Sequence, residues 1–164
     1  MSSREKRMGG VMANSVLLGV LALLLVSAGI QDARTREIAN WKNAAIALLA
    51  PLWWWANGLS VWPDMAIQLG IALAFFALFC GVFYFGWMGG GDVKMIGALA
   101  LWFPFQALAW MLIVMSLLGG ALTLLLVIER AARRKTDAIE IPYGVAIAIA
   151  ALLAMREPIL NQFQ

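Results

Sequence analysis

Two aspartates stand at the edges of apolar runs, far apart in the chain: Asp32 in QDARTREIAN and Asp92 in GGGDVK. Ionisable groups at a membrane are costly and tend to mark function. If the fold brings two carboxylates within a few ångströms, both cannot ionise easily, and the pair shares a proton. The ionised member can take a proton from a water as that water attacks a peptide carbonyl. The protonated member can donate to the carbonyl oxygen, and a proton later passes to the leaving amine. This chemistry needs no histidine, cysteine or metal. The chain has no histidine, which excludes His-based metal sites, triads and imidazole bases. Its single cysteine, Cys80, excludes an internal disulfide and a Cys-based zinc site, and reads as a small packing residue inside an apolar run.

The glycines before Asp92 fit such a site. Gly89, Gly90 and Gly91 can take backbone angles that other residues avoid, and they leave room for a substrate backbone beside the carboxylate. Each of these residues also has a plainer reading. Asp92 precedes an apolar piece and would serve as a helix N-cap, as Asn40 would for the helix after it. Asp32 would be a loop charge balanced by Arg34 or Arg36, a pairing worth about 0–1 kcal/mol. Lys94 would sit among lipid headgroups, and Glu37, Asp64, Asp137 and Glu140 would be solvated loop residues. Spacing alone does not choose between capping and catalysis.

The elements that must position these residues are membrane helices. Of 164 residues, 63% are hydrophobic and 13% charged, against about 45–50% and about 25% in soluble domains. The pattern predicts a single all-α, polytopic membrane domain over residues 1–164. Six apolar segments are expected: Val11 to Ile30, Trp41 to Asn57, Met65 to Trp87, Val93 to Phe103, Ala107 to Ile128 and Ile141 to Met155. The fourth, stopped by Pro104, would be roughly 16 Å long at about 1.5 Å per residue, half a bilayer. A short helix there would leave a cavity in which irregular backbone is tolerated. Trp53, Trp54 and Trp55 read as an interfacial aromatic belt.

Counting the short piece as a span places Arg34, Arg36, Lys42, Lys94, Arg130, Arg133, Arg134 and Lys135 on one side, and Arg4, Lys6, Arg7 and Arg156 on the other. The positive-inside rule then puts the first group, with both aspartates, in the cytoplasm and the N-terminus outside. Merging the fourth and fifth pieces gives five spans and a weaker bias. The basic start followed by Val26-Ser27-Ala28 also has the outline of a signal peptide, though its apolar run is long for one. The net charge of +3 lies in short loops, so it points to orientation and anionic lipid rather than nucleic acid.

GGGD fits the Gly-x-Gly-Asp signature of intramembrane aspartic proteases, and GGGDVK resembles the Gly-x-Gly-Asp-x-Lys form of type IV prepilin peptidases. Asp32 followed by Arg36-Glu37-Ile38-Ala39-Asn40 is similar to that family's first-aspartate segment, with Ala39 where proline is common. Ile141-Pro142-Tyr143-Gly144 is similar to its C-terminal Pro-Tyr/Phe-Gly element. The resemblance implies that Asp32 and Asp92 are the catalytic pair, with Gly89, Gly91, Lys94, Asn40, Pro142, Tyr143 and Gly144 in support. It implies a prepilin substrate cut on the cytoplasmic face of the bacterial cytoplasmic membrane, between a basic leader and a hydrophobic helix. It further implies the short form found with tight-adherence (Tad/Flp) pili, without the Cys-x-x-Cys domain of the methylating members. No cofactor is expected, and no N-methyltransferase activity. The rival reading is a small cation or proton-coupled transporter using the same aspartates, which would require a polar path to both faces. A third is a scaffold subunit whose aspartates only cap helices.

Overall fold

The computed structural model describes residues 3–133 and 142–156, with side chains from residue 10 onward. Arg134, Lys135, Asp137, Glu140 and Ile141, and the side chains of Arg4, Lys6, Arg7 and Arg133, lie outside the described residues. The fold is all-helical: α1 (Ser3–Thr35), α2 (Asn40–Ala56), α3 (Ala66–Tyr84), α4 (Gly90–Ala100), α5 (Phe105–Arg133) and α6 (Tyr143–Ala154). These answer one for one to the six expected segments. By length and composition, Gly10–Thr35, Val61–Tyr84 and Phe105–Ala132 can each cross a bilayer, whereas α2, α4 and α6 are shorter.

The long helices turn large apolar side chains outward; Leu23, Leu117 and Leu124 are among the exposed ones. Lipid is as apolar as these groups, so helix association must come from close packing and internal hydrogen bonds. The α1–α6 contact shows this. Ala146, Ala148, Ala150, Ala151 and Ala154 of α6 are buried, and a Cβ added at Gly29 would come within 3.2 Å of the Ala148 methyl.

At the centre stands the short helix. α4 packs against α2, α3 and α6, and eight of its eleven residues are buried. A helix that ends inside a protein leaves carbonyls without partners, which must be satisfied there. Gln68 of α3, itself buried, does so: its Nε2 donates to the carbonyls of Ala100 (2.8 Å) and Phe103 (2.7 Å). The Trp54 indole N–H donates to the Leu101 carbonyl at 2.7 Å, and that of Trp102 to the Ile46 carbonyl at 2.8 Å.

This corrects the aromatic-belt expectation. Trp53 and Trp54 are buried, Trp53 stacking on Trp102 at 5.7 Å between centroids, and only Trp55 faces outward. Successive helical residues point about 100° apart, so three tryptophans in a row cannot share one face. Asp64 is likewise more than a solvated loop residue: in the kinked lead-in to α3 its Oδ2 accepts from the Ser60 amide and hydroxyl.

Candidate active site

Asp32 belongs to a helix and not to the loop after one. α1 runs five residues past Ile30, where the first apolar segment was expected to end, and closes with the Arg36 amide donating to the Asp32 carbonyl at 2.9 Å. Arg36 then adopts φ 58°, the left-handed region in which helices commonly end, though usually on glycine. Past the bend, Ile38 is buried against Gly91 and Gly144, and α2 begins at Asn40. Asp32 is only 4% exposed, its Oδ2 accepts the Val145 amide at 3.2 Å, and Arg36 is near enough for its charge to act on the carboxylate.

Asp92 is the third residue of α4, so it is not the N-cap that its place before an apolar run implied. Gly89 holds that position, in extended conformation (φ −70°, ψ 144°). Asp92 reaches back toward the Gly89 amide, as acidic residues at the third helical position often do, and is 8% exposed. Its carboxylate lies close enough to Asp32 for the two charges to interact.

Gly89, Gly90 and Gly91 matter for space rather than for unusual torsions. None has positive φ; among the described glycines only Gly58 and Gly86 do. A Cβ at Gly89 would stand 3.0 Å from Asp92 Oδ2, one at Gly90 3.3 Å from the Phe83 ring, and one at Gly91 3.4 Å from Ile38. Among the glycines beside the two aspartates the tightest approach is at Gly144, where a Cβ would come within 2.8 Å of both the Asp32 carboxyl carbon and Ile38 Cδ1.

Both aspartates line one cavity of about 900 Å³, together with Asn40, Gly89, Gly90, Gly91 and Tyr143. Of the other expected residues, Pro142 is the buried N-cap of α6 and Gly144 is the wall behind Asp32. Lys94 lines a neighbouring groove instead, and its Nζ donates to Asn40 Oδ1 at 2.8 Å. Asn40 is therefore the first residue of α2, committed to Lys94, while Ala39 occupies the cap position. Glu37, expected as a solvated loop charge, also lines the cavity. Lys42, counted among the loop cations of this side, is buried, with Nζ donating to the Ser27 carbonyl at 2.8 Å.

The sequence reading missed Asn43. It is buried, and its Nδ2 donates to the Gly91 carbonyl at 3.1 Å, which ties α2 to the residue before Asp92. The available signal was a second asparagine one helical turn after Asn40, where an otherwise apolar helix has no need of one.

The model of the type IV leader peptidase family matches residues 19–124, well over half of the chain. This protein belongs to that family. The match takes in Asp32, Asn40 and the whole of Gly89 to Lys94, while α6, which supplies Tyr143 and Gly144, lies beyond it. No curated protein and no solved structure matches the chain. Family membership makes the protein a leader peptidase in general terms, with prepilin-type proteins as the substrate class, and agrees with its membrane-helix character.

Proposed function

We propose that this family member is an aspartic endopeptidase that removes the leader of prepilins with Asp32 and Asp92. The observation that carries the reading is two buried carboxylates, from α1 and α4, lining one polar cavity and close enough for their charges to interact. Two such groups hold one proton between them. The ionised carboxylate takes a proton from a water, the water oxygen bonds to the scissile carbonyl carbon, and the protonated partner donates to the carbonyl oxygen. Collapse of the gem-diol intermediate breaks the C–N bond: the departing nitrogen takes a proton from the protonated carboxyl while a hydroxyl of the gem-diol gives its proton to the ionised one, which leaves the pair with one proton again. Val145 and Gly144 orient Asp32, the Gly89 amide orients Asp92, and the Lys94–Asn40 bond holds α2 against α4 beside them.

The substrates are Flp-type prepilins, cut at the cytoplasmic face of the bacterial inner membrane. The Gly-x-Gly-Asp-x-Lys resemblance and the basic loops on the aspartate side support this. Below Asp92 the helix continues through buried Val93, Met95, Ile96 and Leu99. That apolar floor favours a peptidase over a transporter, which needs polar groups continuing to the other face.

The test is cleavage of a co-expressed Flp-type prepilin by wild type, Asp32→Asn and Asp92→Asn, with membrane levels followed by blot. Asparagine keeps the shape but not the proton transfers. Wild type removes the leader, and each variant accumulates normally and cuts at least about 10³-fold more slowly, in line with the loss of a catalytic acid–base group. Cleavage at the wild-type rate by either variant refutes the shared-proton mechanism.

A further inference from the structure

A second cavity, of about 460 Å³, runs beside the first. It is a groove walled by Ala44 and Ala47 of α2 and by Ala72 and Leu73 of α3, with Gly97 and Ala98 of α4 as its floor. α2 and α3 each pack on α4 rather than closing against one another, so the groove lies between them. Its lining is almost wholly apolar, and Ala44, Ala47, Ala72, Gly97 and Ala98 in it are small. Small residues let a helix backbone approach closely, and close approach is what drives helix association in lipid. Gly97 extends this: a Cβ there would stand 2.5 Å from the Phe76 ring, so the bare backbone is what seats that ring at the groove floor.

The groove has one polar end, and that end is the catalytic cavity. Asn40 lines both spaces, and its partner Lys94 lines the groove. Asn43 also lines it; the residue is 96% buried, and its Oδ1 has no hydrogen-bond partner among the described residues. A buried amide oxygen without a donor is costly and awaits one.

We infer that this groove seats an apolar helical segment of the substrate, contiguous with the scissile peptide. The inference rests on the leader-peptidase reading of the adjoining cavity. A peptide passing Asp32 and Asp92 and leaving past Asn40 enters the groove without crossing another helix. There one face of a membrane helix meets Ala44, Ala47 and Ala72. The groove so fixes which bond reaches the carboxylates by holding the apolar segment at a set depth.

Disulfide mapping in membranes tests this directly. Cys80→Ser gives a cysteine-free chain, into which Leu73→Cys is placed at the groove and Ile113→Cys on the exposed side of α5 as the control. Each is co-expressed with a Flp-type prepilin carrying single cysteines scanned through its apolar segment, and oxidised. The expected result is cross-linking from Leu73→Cys at positions three and four residues apart, one helical face, and at least tenfold less from Ile113→Cys. Equal cross-linking from both, or none from Leu73→Cys, overturns the proposal and assigns the groove to lipid. In parallel, Ala47→Phe, which fills the groove, is expected to raise KM for the same prepilin at least tenfold with little change in kcat. Failure here is separable from failure of the peptidase reading. If Asp32→Asn and Asp92→Asn abolish cleavage while the groove positions do not cross-link, the groove alone is refuted.

Discussion

Gly144 shows how much of this site depends on what one residue lacks. The Asp32 carboxyl carbon and the Ile38 side chain both lie where its Cβ would be. Neither neighbour can yield freely, because Asp32 is held by the Val145 amide and Ile38 is buried against Gly91. Overpacking of this kind costs about 1–3 kcal/mol. Gly144→Ala is therefore expected to displace Asp32 and lower kcat for prepilin cleavage by about 10- to 100-fold, the same energy read as a rate. Its membrane level should fall far less. Gly120→Ala, at a glycine whose Cβ would meet nothing within 4 Å, is the matched control and should cut normally. A single-turnover assay of both in detergent checks the pair.

At the scale of elements, the half-length of α4 decides the site. A full-length helix would carry Asp92 away from the end of α1 or displace the turn before it. The helix can stop inside the bundle only because its last carbonyls have donors. Gln68 supplies two of those bonds from within α3. Gln68→Leu keeps the bulk and removes the donors, leaving the Ala100 and Phe103 carbonyls unpaired in a buried place. The expected cost is about 1–3 kcal/mol, seen as a lower midpoint in SDS unfolding of the detergent-solubilised protein. Cleavage should fall with the folded fraction rather than independently of it. At the other end of the bundle, Asn14 and Asn57 exchange side-chain hydrogen bonds at 2.9 and 3.3 Å, fastening α1 to α2 away from the carboxylates.

For the whole molecule the question is which way it faces. The end of α1, the start of α4 and the start of α6 meet at one cavity, so Asp32, Asp92 and Tyr143 share one end of the bundle. With the basic loops on that side in the cytoplasm, Glu37 lies inside and Ser60 outside. In a Cys80→Ser background, Ser60→Cys should react in intact cells with a membrane-impermeant maleimide. Glu37→Cys should react only after the membrane is opened. The reverse pattern would invert the orientation and place the carboxylates on the outer face. The two positions are both exposed in the fold, so a difference in labelling reports sidedness rather than burial.

The six apolar segments, the short fourth one and the two aspartates at their edges were all legible in the sequence. Each depends on local composition: lipid demands long apolar runs, and a charge interrupting them stands out. The family was legible too, because Asp32 and GGGDVK keep their order and setting along the chain. Side-chain partners were not legible. That Asp92 is third in its helix, that Asn40 holds Lys94 instead of a cap, that Asn43 braces Gly91 and that two of three tryptophans turn inward follow from which helix faces meet. The glycines show the division most clearly. Sequence offers their freedom of torsion, whereas the packed bundle uses their missing side chains, because contact between helices distant in the chain is set by shape in three dimensions and leaves no mark on the spacing of residues along one strand of sequence.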